Sequence, residues 1–390
     1  MKLLFLQEFP LSGKGGGAYI YKRLLSFAKH FNVDITIGYE NSIYHKPINE
    51  EYETLVFESR NRNFSFGMGR LLSLLSIIGI DRKASISLNK VIEECQPNLV
   101  HLTAHGVCFP ATAYATQKAG LPYVVTVHDV WDLSVQFIPK WLAHFIFRKI
   151  VKRAKMVFVI SENMGKYLKK RYDINDFVIV HDGIAPDLEL KIKNKSADGV
   201  IRLMYAGILH PMQKAIFNDV ITSMGSMPQF NFELHICTGI PYEDPQSSEN
   251  IKIVNYGWVD ENKLKIISES CDFGLLPLSF NLEDELFYRT SLMTKIPFYV
   301  GAQLPIFCIG PTNSSAVELI QELKIGFTVT NNDLNNFNKA ISSLAILTNE
   351  KYQEFITHLK KTRETTFNIN LITERFYNGI NSCIKNDQKN

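Results

Sequence analysis

A lysine placed just beyond an apolar strand can neutralise a diphosphate as a point charge beside backbone donors. One position in the chain has this form, and a second lysine stands among hydroxyls that give it context. In YAGILHPMQK, Gly207 closes an apolar run and Lys214 lies in the loop beyond it. In RTSLMTKIPFY, Lys295 lies between Ser291 and Tyr299, and the text after VGAQLPIFCIGP continues with Thr312, Asn313, Ser314 and Ser315. Hydroxyls, a lysine and a helix N-terminus after Pro311 are groups that converge on a phosphate. Ser314 or Ser315 equally suits the cap of that helix.

Histidines make a second group: His101 and His105 in NLVHLTAHG, and His128 with Asp129 directly after PYVVTV. Parallel sheets bind ligands beyond the carboxyl ends of their strands, which puts His128 and Asp129 where chemistry occurs. A structural His–Asp pair capping the following turn is the other reading. The spacings match no zinc signature, and no metal is expected. The first strand runs into Ser12-Gly13-Lys14-Gly15-Gly16-Gly17 before an amphipathic helix. Glycines at a strand-to-helix turn let backbone approach a ligand, and the helix start offers free N–H groups. GKGGGA is neither the dinucleotide fingerprint in register nor the GxxxxGK[ST] phosphate loop, so a plain loop also fits.

The elements that must position these residues follow from periodicity. Apolar β-branched runs alternate with helical stretches along the whole chain, which predicts parallel sheets joined by crossover helices. The first half offers strands at 2–6, 33–38, 98–102, 122–127, 156–160 and 177–180, and a helix over Ala18–Phe31 with Ile20, Leu24, Phe27, Ala28 and Phe31 on one face. Residues 185–199 are polar and turn-rich, a domain boundary, and a fresh strand opens at VIRLMYAG. NFELHI, IKIVN, DFGLLPL, PIFCI and GFTV follow as strands, with helices at Glu261–Ser270, Ala316–Leu323 and Asn368–Ile384. The fold class expected is α/β with two doubly wound parallel-sheet domains.

Composition sets the limits. At roughly 150 residues per domain, 390 residues give two or three domains. Hydrophobic residues at 46%, charged residues at 21%, and Lys+Arg 42 against Asp+Glu 39 (+3) exclude disorder, collagen and coiled coil, and give no sustained field for nucleic acid. The six cysteines are widely spaced without a CxxC pair, which suits free thiols in a reducing compartment. MKLLFLQEF has too short an apolar run for a signal peptide, and Leu71–Ile80 is far short of the ~20 residues of a membrane span, so a cytoplasmic protein is expected.

Taken in order, these pieces resemble a glycosyltransferase of the GT-B type, most similar to the family 4 group of nucleotide-sugar-dependent enzymes. The resemblance covers nearly the whole chain. CDFGLLPLSF, then SLMTK, Tyr299 and LPIFCIGP are similar to the family's ADIGLLP…PSK…EYLAAGKPI; the glycine loop, HDV, VISE near Ser161-Glu162 and HDGI at 181–184 fall in the family's order. The resemblance implies two Rossmann-like domains facing a central cleft: an acceptor-binding domain over 1–188, a nucleotide-sugar-binding domain over 189–366, and a C-terminal helix in 367–390 packed back on the first. It implies that Gly15, His101 and His105 serve the acceptor. Gly16, Gly17, Gly207, Lys214, Ser291, Lys295, Tyr299, Ser314 and Ser315 would serve the donor, and His128 and Asp129 would position the reacting sugar. No cofactor and no metal are implied, because the lysines would do a cation's work on the departing diphosphate.

Two departures stand out. The family usually has Gly-Arg-Leu where this chain has Gly207-Ile208-Leu209, and often a glutamate where it has Phe298. The Lys295-Ile296-Pro297-Phe298-Tyr299 run resembles the Lys-x-Pro-x-Tyr pattern of some polysaccharide-assembly relatives. Glu283 and Glu285 are the nearest acids to compensate, as sugar-hydroxyl ligands or as solvated charge. The runs Phe64–Ile80 and Ile138–Lys155 combine aromatic and basic residues, which suits either an anionic bilayer surface or core helices with a solvated basic face. Together these imply transfer of a sugar, with retention, to a glycan or lipid-linked glycan acceptor in cell-surface polysaccharide synthesis of lipopolysaccharide or capsule type, by an enzyme at most peripheral to the plasma membrane. The rivals are a nucleotide-sugar 2-epimerase and a non-catalytic GT-B-like partner protein.

Overall fold

The computed structural model describes residues 1–8, 11, 16–40, 52–59, 74, 77–79, 81–135, 138–184, 193–239, 242 and 248–385, the backbone alone at 16–19 and 385. The chain divides into two compact units, Met1–Asp182 with Ile369–Asn390, and Gly183–Asn368.

Unit 1 is built on a seven-stranded sheet in the order β3-β2-β1-β4-β5-β6-β7. Its strands are β1 (Lys2–Gln7), β2 (Asp34–Glu40), β3 (Glu53–Phe57), β4 (Leu99–Thr103), β5 (Tyr123–Val127), β6 (Val157–Val159) and β7 (Phe177–Ile179). All neighbours pair in parallel, with Leu3 opposite Ile35 on one side and Leu99 on the other. Strands covered on both faces can be apolar throughout, and β4 and β5 are buried along their length. Helices α1 (Gly16–Leu25), α2 (Arg82–Cys95), α3 (Phe109–Lys118), α4 (Trp131–Ser134), α5 (Lys140–Arg153) and α6 (Glu162–Tyr172) make the crossovers. Side chains seat their starts: Asp81 accepts from the Lys83 and Ala84 amides ahead of α2, and Ser161 from the Met164 amide ahead of α6.

The helix expected over 18–31 is two pieces. Ordered helix stops at Leu25, a 3-10 turn covers Ala28–Phe31, and Asn32 takes a left-handed φ of 54°. The chain has to reverse within two residues to enter β2, and Asn tolerates that conformation. β3 has no counterpart in the expectation, because ETLVF is short, lies at the sheet edge and is only half-buried.

Unit 2 carries a six-stranded parallel sheet, β10-β9-β8-β11-β12-β13. Its elements are β8 (Val200–Ala206), α7 (Pro211–Gly225), β9 (Asn231–Cys237), β10 (Ile251–Asn255), α8 (Glu261–Glu269), β11 (Phe273–Pro277), α9 (Glu285–Thr290), α10 (Lys295–Gly301), β12 (Ile306–Ile309), α11 (Ser315–Leu323), β13 (Gly326–Val329), α12 (Leu334–Ala345) and α13 (Asn349–Glu364). In each sheet the order reverses beside the first strand, between β1 and β4 and between β8 and β11, and ligands of open parallel sheets lie outside the carboxyl ends at such a switch.

The last helix, α14 (Ile369–Lys385), returns to unit 1. Ile369, Ile372, Phe376, Tyr377 and Ile380 join one apolar core with Leu3, Phe5, Leu24 and Phe158. Tyr377 stacks on Phe31 at 4.6 Å and its hydroxyl donates to the Leu24 carbonyl at 3.2 Å.

Candidate active site

At the carboxyl edge of unit 1, side chains from β1, β4, β5 and α1 meet. The Tyr21 hydroxyl, carried by α1, accepts from Thr103 Oγ1 at 3.1 Å and lies 2.9 Å from His128 Nε2. With Thr103 donating, the tyrosine proton goes to His128 Nε2, and the imidazole's own proton then stands on Nδ1 as a donor. Burial holds the His128 ring well below its usual range, at about 4, so it is neutral at pH 7. It is therefore a hydrogen-bond donor and no source of positive charge. Asp129, next in the chain, and His105 are exposed and interact electrostatically.

His101 is one layer deeper. Its ring is fully buried, stacks on Phe5 at 4.1 Å and bonds Thr126 Oγ1 at 2.7 Å, and burial pushes its pKa down to about 3. It reaches an acceptor only through the layer above. Gln7 is in that upper layer: alternation along β1 puts it on the Phe5 face, it is 2% exposed, and neither polar atom of its amide has a partner among the described residues. Gly15 lies outside the described residues. Gly16 and Gly17 open α1, where amides have no partner within the helix, at the same edge as His128.

On the opposite face of β1, Glu8 Oε2 accepts from the Cys108 amide at 3.3 Å. Burial, with Glu40 nearby, raises its carboxyl to about 7. Glu40 is fully buried and accepts from the Ser59 amide at 3.0 Å and hydroxyl at 2.9 Å. Gly106 has φ +65°, and a Cβ there would lie 1.5 Å from Glu8 Oε2, so this turn requires glycine.

In unit 2 the edge is organised by Lys295, at the first turn of α10. Its Nζ donates to the Ile208 carbonyl at 3.2 Å and stands 4.9 Å above the centre of the Tyr205 ring. Desolvation lowers its pKa to about 8. Gly207, at φ +95°, bends the chain out of β8 so that its Cα faces the lysine: a Cβ there would lie 3.6 Å from Lys295 Cε. This is an ammonium held by one carbonyl and one aromatic face, with hydrogen-bonding capacity left for an anion.

The other expected donor residues spread around that centre. Ser314 is the cap of α11, its hydroxyl accepting from the Val317 amide at 3.2 Å, and Ser315 donates to the Arg289 carbonyl, so both hydroxyls hold the loop. Ser291 is buried after α9. Glu285 accepts from Arg289 at 3.2 Å and from Asn313 at 3.5 Å, tying α9 to the start of α11, while Glu283 is exposed on the preceding 3-10 turn. Lys214 is exposed on the first turn of α7. Tyr299 is in the core: its hydroxyl donates towards the Leu275 and Met204 carbonyls at 3.0 and 3.1 Å and accepts from the Ala206 amide at 3.2 Å. It fixes β8 to β11 and does not face a ligand.

Tyr21, Gln7, Glu8 and Trp258 have no place among the residues expected from sequence. Tyr21 lies beside the apolar face of α1, where an aromatic residue reads as core; its hydroxyl, one helix turn beyond the glycines, is the available signal. Trp258 follows β10, is 62% exposed, and its indole approaches Gly239 at the end of β9. Among the described residues, no group of three or more His, Cys, Asp or Glu side chains is disposed to hold a metal ion.

Residues 52–188 match Glycosyltransferase Family 4. No curated protein matches the sequence. Among solved structures, a glycosyltransferase from Rickettsia africae ESF-5 superposes with a TM-score of 0.70 at 13% identity, covering 99% of both chains. The apo lipopolysaccharide outer core galactosyltransferase WaaB gives 0.68 at 15% identity over 98% of this chain and 99% of its own. An E. coli trehalose-6-phosphate structure bound with UDP-2-fluoro glucose gives 0.67 at 12% identity, over 98% and 99%. At these identities the superpositions show the fold, which is GT-B. With the family 4 segment set in that fold, the chain is a glycosyltransferase.

Proposed function

We propose that this glycosyltransferase binds a nucleotide-sugar donor on unit 2, around Lys295, and transfers the sugar with retention to a glycan or lipid-linked glycan presented by unit 1. The single observation that carries the reading is the Lys295 ammonium, which stands at the switch point of the second sheet with its charge incompletely answered. A diphosphate is the ligand that charge suits. Lys214 and the amides at the start of α11 add to it, and the exposed indole of Trp258, two strands away at the sheet edge, offers a flat surface for a base. That a solved structure of the same fold is bound with UDP-2-fluoro glucose supports UDP-sugars as the first donors to test.

In the transfer step the bond from the anomeric carbon to the diphosphate breaks, and the acceptor oxygen bonds to the same carbon on the same face. The leaving diphosphate takes the acceptor's proton, so no protein nucleophile is assigned. Lys295 and Lys214 stabilise the negative charge that grows on the diphosphate. His128, neutral and held by Tyr21, donates to a sugar hydroxyl, with Asp129 beside it. No cofactor is called for, and chelators are expected to leave transfer unchanged. The likeness to a lipopolysaccharide galactosyltransferase supports a role in cell-surface polysaccharide synthesis, at the cytoplasmic side.

A thermal-shift panel of nucleotides and nucleotide sugars tests the reading, since a ligand at 100 times its Kd adds about 2.7 kcal/mol. A selective rise with one nucleoside diphosphate family is expected. Donor consumed without acceptor would indicate epimerisation, and the absence of any shift in folded protein would favour a non-catalytic partner, for which Ile208 in place of the usual arginine is the supporting residue.

A further inference from the structure

Helix α5, KWLAHFIFRKIVKR, contains no acidic residue. Its inner face is ordinary: Ala143, Ile146, Phe147, Ile150 and Val151 are buried against unit 1. Its outer face is not. Trp141 is 71% exposed and Phe145 61%, and their spacing of four puts them one above the other on the same side. Arg148, Lys149 and Lys152 continue that side toward the helix end, all exposed. Asp173 pairs with Arg148 and Lys152 and answers one of these charges. The next helix, α6, adds exposed Lys166, Lys169 and Lys170.

Leaving two large aromatic side chains in water forgoes the stabilisation that burial gives, and on this helix the charged side chains beside them are all basic. An acidic protein would satisfy the charges but does not need the rings. A bilayer interface accepts both, with the rings at the headgroup boundary and Lys/Arg stems lying along apolar surface with their charges on anionic headgroups.

We propose that the outer face of α5 docks on an anionic lipid bilayer, with Trp141 and Phe145 inserted and Arg148, Lys149 and Lys152 on headgroup phosphates. This deepens the reading of a lipid-linked acceptor, on which only its biological use rests. The second aromatic-basic run, 64–80, lies almost wholly outside the described residues.

The test is co-sedimentation of the full chain with phosphatidylcholine vesicles containing or lacking phosphatidylglycerol, without donor or acceptor, so that its outcome is separate from the nucleotide screen. Binding to the phosphatidylglycerol vesicles is expected, weakening as salt is raised from 50 to 500 mM. Trp141→Ser with Phe145→Ser, and separately Arg148→Glu with Lys149→Glu, should each lower partitioning at least tenfold while leaving Tm and nucleotide-induced shifts unchanged, since all four side chains are exposed. Equal binding by both double variants, binding to neutral vesicles alone, or no binding at all would overturn the proposal. A retained tenfold loss on soluble polyglutamate for the charge variant but not the aromatic one, with both variants binding vesicles normally, would assign the surface to an acidic protein and overturn it too.

Discussion

Lys295 Nζ lies 4.9 Å above the Tyr205 ring and donates to the Ile208 carbonyl, so its ammonium rests on a π face and one neutral oxygen, with no ion-pair partner among the described residues. Desolvation lowers its pKa to about 8. A diphosphate selects the charged form, so donor affinity should fall as pH rises through about 8, approaching tenfold per unit above it. The effect on folding has the opposite sign. Between about 8 and 10.5 the unfolded chain holds the proton and the folded one does not, so this group makes stability rise with pH in that window. Titrating nucleoside diphosphate from pH 6.5 to 9.5 checks the first, and a flat profile would remove the lysine from the phosphate site.

Lys295→Ala and Lys214→Ala should each lower transfer at least tenfold, about 1.4 kcal/mol. Lys214 is exposed on α7, so its loss should leave Tm unchanged. Steady-state rates on the donor found by the panel measure both, and near-native turnover in the pair would sink the phosphate assignment.

Tyr21→Phe removes the hydroxyl that orients His128 and leaves the Thr103 hydroxyl without its acceptor. Transfer should drop about tenfold with donor affinity unchanged, because Tyr21 acts through the imidazole. His128→Ala should cost at least as much, and adding Tyr21→Phe to it should cost little more, as expected for residues acting as one unit. Additive losses in the double-mutant cycle would show that Tyr21 works independently.

Tyr299→Phe should behave as a core substitution. The hydroxyl it removes serves the Met204 and Leu275 carbonyls and the Ala206 amide in a buried site, so a loss of about 1–3 kcal/mol in stability is expected. Nucleotide affinity should stay within twofold. A large loss of affinity with unchanged Tm would return Tyr299 to the donor site.

Glu8 gives a distinct pH signature. Its carboxyl is raised from 4.5 to about 7 by burial, so the folded state holds a proton that the unfolded state has lost across that window, and the group's contribution falls as pH rises from 4.5 to 7. His101, His128 and His181, whose pKa values burial lowers, pull the other way at pH 4 to 6.5. The difference between wild type and Glu8→Gln isolates the carboxyl: the variant's relative stability should increase from pH 5 to 7.5 in urea unfolding, and a constant difference would count against the raised value.

The fold class was legible because parallel strands buried on both faces read as apolar runs, as in LLFL of β1 and FGLL of β11, separated by helical stretches of crossover length. What escaped was at the edges, where β3 is half-buried and the 18–31 helix has to break to enter β2. The site was legible only by position along the chain. His128 follows the end of β5 and Lys295 opens α10 in the crossover after β11, and both are found at sheet edges. Spacing does not say which way a side chain faces, and so His101, in mid-strand, and Tyr299, on the inner side of α10, are buried. Tyr21 contributes from a helix whose pattern reads as packing, and only the assembled sheet brings it to His128.

Unit 1 is discontinuous in sequence, and that fixes an order of events during synthesis. All seven strands of its sheet precede Asp182, yet α14, which covers Phe158 and Phe31, is made only after the whole of Gly183–Asn368. A ribosome-bound chain therefore displays the apolar flank of a nearly finished sheet while the contiguous unit 2 closes on itself. A stop codon or proteolytic cut before Ile369 would cost far more than one helix: it would strand unit 1 with an adhesive surface, a substrate for chaperones and for self-association.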